Sequence, residues 1–367
     1  MPDVDFTAAD SPALAACAAS LARYAEPLLR SVAGRWLRLR TQWTAEELRE
    51  RLQEALANPV AVDRTLKSLS PAARRLLRLM AIGLQTEWRL RALADLLAVV
   101  DPGEGIAAVR ELLEAGFLYP QLAGRTSQLT SIATWLNQAP GQPLSVVVVP
   151  LAAVRARGED LGLTSLPHDD LATATPQEAD GFEWLLRLAV AWQFVREGPL
   201  RRTQQGGLFK RDLDRLQGHP LLSTAPAESI GAVPSPEMLA VALAKAEGVL
   251  HFEPEEIRAG ELPDSWEDGL GTALLSLWSA WTGVDGWDPQ RGGENGGASP
   301  AAVATLIVAA LAEVPDGAWV RAGHVDAWLE AVPDVAEEAG TSFLLGIGHQ
   351  LRLVQATRHR NAWWVRL

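Results

Sequence analysis

The sequence predicts a mainly α-helical chain in which short β-hairpins recur after groups of helices. Three observations predict it. Apolar residues return every three or four positions over most of the chain. Ser-Pro pairs and glycines punctuate these stretches at helix-length intervals. The order helix, strand, helix, helix, hairpin can be read more than once, a repeat of pattern and not of residues. At 367 residues the chain exceeds one ordinary helical core, and the usual domain size suggests about two to four units.

Residues 1–66 read as an N-terminal helical region. Leu14, Leu21, Leu28, Leu29, Trp36, Leu48, Leu52 and Leu56 supply its apolar anchors, and Thr44 ahead of Glu47 has the spacing of a capping box. A second unit, residues 67–178, opens at Ser70-Pro71, where Ser caps and Pro takes the first helical position. "SPAARRLLRLMAIGL", "RLRALADLLAVV" and "GEGIAAVRELLEAGFLYPQL" give three helices, the last stopping at Gly116 before an extended apolar stretch. "PLSVVVVPL", Pro143 to Leu151, reads as a buried strand with no evident place in any unit.

The outline returns over 179–263. "FEWLLRLAVAWQFV" is a helix, Pro199 to Thr203 a short strand, Leu208 to Leu216 and Pro236 to Ala246 helices, and "GVLHFEPEEIRAGEL" two short strands about a turn. After the polar, Gly-rich "DPQRGGENGGASP", it returns once more over 264–367. Pro300 to Ala312 and Ala322 to Val332 are helices on either side of a strand at Trp319-Val320, and a further helix is expected near Val335 to Gly348. "LRLVQATRHRNAWWVRL" closes the unit as a hairpin turning at His359-Arg360-Asn361. This is the order of a winged helix, a helix-turn-helix variant. The expected architecture is therefore tandem winged-helix domains with short β-hairpin wings behind an N-terminal helical region.

"PLRRTQQGGLFKRDLDRL", Pro199 to Leu216, follows a Trp-containing helix and precedes "VLHFEPEEIRAGEL". In these residues the chain resembles the helicase-associated winged-helix region of a bacterial family similar to the N-terminal domain of XPB-type DNA helicases. Gly207, Lys210, Arg211 and Asp212 fall in register with that family's run. The resemblance implies a partner that is DNA, or a helicase or other DNA-processing protein. Family members continue into a further domain, whereas this chain ends at Val365-Arg366-Leu367 inside the expected last wing, as a truncated or split version would.

Several chemistries are excluded by what the sequence lacks. The three lysines, Lys67, Lys210 and Lys245, sit in no phosphate-cradling loop of the kind an ATP-driven motor needs. No Ser lies in a nucleophile elbow, and Cys17 sits in "ALAACAAS" with no neighbouring His. "PHDD" (His168, Asp169, Asp170) reads as a polar loop and "HVDAW" (His324, Asp326) as a helix start, without the spacing that sets two metal ligands on one helical face. No enzyme activity, cofactor, metal or small-molecule substrate is expected. The start "MPDVDFTAADSP" is not a secretory signal, and no apolar run approaches a membrane span, so the expected setting is cytoplasmic and without membrane contact.

Charge leaves nucleic-acid binding open locally. The net charge is -12, but residues 253–294 hold ten acids against two bases. The candidate nucleic-acid contacts are Arg201, Arg202, Lys210, Arg211 and Arg215 in the second repeat, and Arg352, Arg358, His359 and Arg360 in the last hairpin. Clustered cations reward a phosphate backbone by releasing its counterions. Lys210 and Asp214 are expected to pair at i,i+4, while Arg211 and Arg215 share a stripe with no acid four residues away. Against this, the same cations suit a solvated face or the acidic run Glu253 to Glu261. A protein–protein scaffold built from the same modules is then the alternative. Trp184, Trp192, Trp278 and Trp281 belong to apolar stripes and are expected in core or inter-domain packing, and one of Trp363 and Trp364 is expected to be core by alternation.

Overall fold

A computed structural model describes residues 12–83, 85–103, 106–122, 128–138, 144–171, 173–177, 179, 182–204, 207–224, 230, 235–283, 299–331, 345–346, 348–349 and 353–367. The described chain is mainly helical with small antiparallel sheets, and it divides into two compact units, Met1–Leu163 and Thr164–Leu367.

The first unit begins with α1 (Pro12–Ala22), α2 (Glu26–Trp36), α3 (Ala45–Leu56) and α4 (Pro59–Leu66). Thr44 and Glu47 form the reciprocal capping box that starts α3, and Asn58 caps α4 by accepting from Val60 N and Ala61 N. Then come α5 (Pro71–Ile82), β1 (Glu87–Arg89), α6 (Leu90–Val100), α7 (Ala107–Ala115) and β2 (Leu118–Pro120). The unit closes with α8 (Ile132–Leu136), β3 (Ser145–Val148) and α9 (Pro150–Arg155). Ser70 caps α5, whose buried face carries Leu76, Leu77 and Met80. Gly116 ends α7 with a left-handed φ of 74°, where a Cβ would come within 2.7 Å of Val32 Cγ1.

The unplaced strand of the sequence is the centre of this unit. The sheet runs β1-β3-β2, with Trp88 opposite Val146 and Tyr119 opposite Val147. Helix α1 packs on β2 and β3, which is why Ser145 to Val148 are buried on both faces and show no polar alternation. The N-terminal helices therefore serve as the cover of the sheet. Ser20 Oγ donates to Pro120 O at 2.8 Å and Trp36 Nε1 to Ala115 O at 2.6 Å, tying α1 and α2 to the segment around β2.

The second unit begins with β4 (His168–Asp169), followed by α10 (Phe182–Glu197), β5 (Leu200–Arg201), α11 (Lys210–Gln217), α12 (Pro220–Ser223) and α13 (Pro236–Ala246). The hairpin β6 (Leu250–Phe252) and β7 (Glu256–Ala259) comes next, in a sheet of order β5-β7-β6. Helix α14 (Leu270–Thr282) packs on α10 and α13 and touches α15 (Pro300–Ala312). Apolar on all sides, α15 is buried along most of its length. Finally β8 (Trp319–Arg321), α16 (Ala322–Glu330), β9 (Gln355–His359) and β10 (Ala362–Arg366) build a sheet of order β4-β8-β10-β9. The helix expected near Val335 to Gly348 lies mostly outside the described residues.

The "PHDD" segment corrects its expectation. His168 and Asp169 do not form a loop but pair with Val320 and Trp319, because the edge of β8 leaves backbone groups that a passing chain can satisfy. His324 falls inside α16, and its Nδ1 lies 3.4 Å from Pro167 O. Among the described residues no helix is long and apolar enough to cross a membrane.

Candidate nucleic-acid interface

In the second unit, β5 and α11 hold the first group of candidate cations. The turn between them is closed by Thr203 N donating to Gly207 O at 2.7 Å. Buried Asp212 then fixes the two elements: its Oδ2 accepts from Arg201 N at 3.1 Å and its Oδ1 from Arg215 Nη1 at 2.9 Å. This overturns the reading of Arg215 as unpartnered, since the acid sits three residues away and not four. Arg215 also lies 4.9 Å over the Phe194 ring.

Arg202 is likewise engaged within the chain. Its Nη1 donates to Glu253 O at 2.7 Å, and its guanidinium lies 5.2 Å over Phe252. Arg201 is exposed, with Glu256 as its register partner across the sheet. Lys210 and Arg211 are exposed on the first turn of α11 and make no ion pair among the described residues. The expected Lys210–Asp214 pair does not form. Of the acids in the run Glu253 to Glu261, Glu253 and Glu256 are taken by Arg258, which belongs to the same run.

The last hairpin presents its cations differently. His359 and Ala362 pair, so Arg360 and Asn361 alone make the loop, with φ of 48° and 63°. Two successive left-handed residues are the signature of the tight hairpin turn whose twist matches the strands. Arg358 Nη2 donates to Asn361 Oδ1 at 3.2 Å, and the His359 ring meets Trp364 nearly edge to face at 6.4 Å. Arg358 and Arg360 are exposed and form no ion pair among the described residues. Arg352 lies outside the described residues.

Neither Trp363 nor Trp364 is a core residue. Both are half-buried, because β10 lies between β8 and β9 and each of its faces is partly covered; the strand's buried residue is Val365. Trp184 and Trp281 are buried as expected, while Trp192 and Trp278 are half-buried. Arg366 stacks 4.4 Å over Trp319 and donates to Gln355 Oε1 at 2.8 Å, which stiffens the base of the hairpin.

No family model, curated protein or solved structure matches the chain.

The chemistry open to the chain therefore rests on its own geometry. Cys17 is buried, and burial pushes its thiol up to about 12, so it stays protonated at neutral pH. Among the described residues no three His, Cys, Asp or Glu side chains gather as metal ligands would.

Sequence reasoning missed two features. Asp212 entered only as a residue of the family run and not as a partner of Arg215, although an acid at i,i+3 to Arg215 is itself a readable signal. The division of charge was also missed. Residues 1–163 carry eighteen Lys and Arg against seventeen Asp and Glu, a balance of +1, whereas residues 164–367 carry fifteen against twenty-eight, a balance of -13.

Proposed function

We propose that this chain is a non-enzymatic binding protein made of three winged-helix modules, which engages DNA or a DNA-processing partner such as a helicase. Support for the modules comes from one strand order, the middle place taken by the last strand, recurring as β1-β3-β2, β5-β7-β6 and β8-β10-β9. Among the described residues α5, α6 and α7 precede the last two strands of the first module, α10 to α13 those of the second, and α14, α15 and α16 those of the third.

The observation that carries the DNA reading is the tip of the third wing. Arg358 and Arg360 stand beside a tight turn without a carboxylate partner, and Arg is the side chain best suited to bidentate phosphate contact. The test is fluorescence anisotropy of duplex, forked and single-stranded DNA against the chain over a series of salt concentrations. A steep loss of affinity with salt, removed by Arg358→Glu with Arg360→Glu, is the expected result. Absence of binding to all three at low salt would sink this reading.

A scaffold is the second reading, and the second module favours it. There Arg202, Arg215 and Arg258 are engaged within the chain, while Leu186, Phe209 and Leu221 are about half exposed. On that reading the partner is a protein that covers these apolar side chains.

A further inference from the structure

We infer that the first unit carries a separate docking groove for an acidic peptide segment of a partner protein, centred on Trp43. The inference does not depend on the DNA reading of the third wing. A groove of about 350 Å³ opens between the end of α2, α3 and α4. Leu37, Trp43, Val60 and Ala61 give it an apolar lining, and Arg51 and Arg64 stand at its sides. Val60 is 77% exposed although it is aliphatic, so the groove presents apolar surface that nothing in the described chain covers.

The charge of the occupant follows from the arginines. The run "RWLRLRTQW", Arg35 to Trp43, carries three arginines and no acid. Arg51 lies 4.7 Å and Arg40 5.8 Å from the Trp43 ring, which holds both guanidinium groups in place before any ligand arrives. Arg64 Nη2 donates to Trp36 O at 3.0 Å. Among the described residues none of Arg38, Arg40, Arg51 and Arg64 has a carboxylate partner. Elsewhere in the unit arginines do find acids, as Arg74 with Glu159 and Arg75 with Asp101. Positioned, unpaired forks around an apolar cleft fit carboxylates flanking one apolar side chain.

A peptide fits better than a nucleic acid for two reasons. Val60 and Ala61 offer aliphatic contact that phosphate and sugar do not use. Glu54 also lines the groove, and a polyanion brings a charge to every step, whereas a peptide can set a neutral residue there.

The test is panning a phage-displayed library of random peptides on the full chain and on an Arg40→Ala/Arg51→Ala variant, with oligo(dT) anisotropy run in parallel. Expected is enrichment of peptides that place Asp or Glu beside one large apolar residue. Their synthetic versions should bind about tenfold more weakly to the variant, as loss of charged hydrogen bonds implies, and equally well to an Arg358→Glu/Arg360→Glu chain. A Val60→Asp variant with an unchanged melting temperature should lose the same peptides, which keeps the result from turning on folding. Failure to enrich any acidic class overturns the inference. So does oligo(dT) binding lost in the Arg40/Arg51 variant without peptide selection, which would assign the groove to nucleic acid.

Discussion

Asp212 and Arg215 close a salt bridge of 2.9 Å across one turn of α11, and the second carboxylate oxygen of Asp212 accepts from the backbone N–H of Arg201. One buried side chain thus fastens the helix to its neighbouring strand and gives Arg215, still exposed, a carboxylate partner. Asp212→Ala leaves the Arg201 N–H without its partner and is expected to cost about 2 kcal/mol. Urea unfolding should show a lower midpoint with an unchanged slope.

Arg360 offers a way to separate stability from binding. Its φ of 48° is costly for a side chain with a Cβ, so Arg360→Gly should raise stability by up to about 1 kcal/mol. If the hairpin tip contacts phosphate, the same substitution should weaken duplex binding and lower the salt slope by about one. Thermal melts and salt-dependent anisotropy on one preparation read both.

Gly116→Ala is expected to damage the first unit. The residue sits at φ 74°, and the added Cβ would press on Val32 and approach the Tyr119 hydroxyl at 3.2 Å. Strain and overpacking together suggest a loss of about 2–4 kcal/mol, seen as a fall in melting temperature.

Glu247 gives a pH signature. Burial raises its pKa, while Ser276 Oγ and Trp266 Nε1 donate to its Oε1 at 2.7 and 3.3 Å and oppose the rise. Its Oε2 is buried and accepts no hydrogen bond among the described residues. The folded chain holds this proton more tightly than the unfolded one, so its contribution is full at low pH and lost as pH rises through the carboxylate range. Glu247→Gln should remove that loss. The melting temperature of the variant relative to wild type is expected to increase from pH 4 to pH 7.

Cys17, buried and protonated, should be inert to a thiol reagent such as DTNB in the native chain at pH 8. One equivalent should react in urea. Reaction at the same rate in both conditions would contradict the burial.

What the sequence made legible was local. Thr44 with Glu47, Ser70 with Pro71 and the glycine at 116 marked helix ends that the structure keeps, because capping chemistry acts within a few residues. The middle place of Ser145–Val148 was not legible, since a uniformly apolar run carries no information on which neighbours it pairs with. Of the candidate interface, the tip at Arg358 and Arg360 was readable from its turn residues. The engagement of Arg202 was not, because its partners, Phe252 and the Glu253 carbonyl, lie some fifty residues on. The arginines about Trp43 were not legible as a group, because Arg51 and Arg64 reach the groove from α3 and α4 and only the packing of those helices brings them beside it.

The central place of β3 bears on how the chain is made. During translation β1 and β2 leave the ribosome well before the strand that joins them, and residues 121–144 must first be added. At about 5–20 residues per second this leaves the two unjoined strands waiting for about one to five seconds. Over that interval their backbone edges and the apolar face meant for α1 are open to nascent-chain chaperones, and to neighbouring chains on the same message.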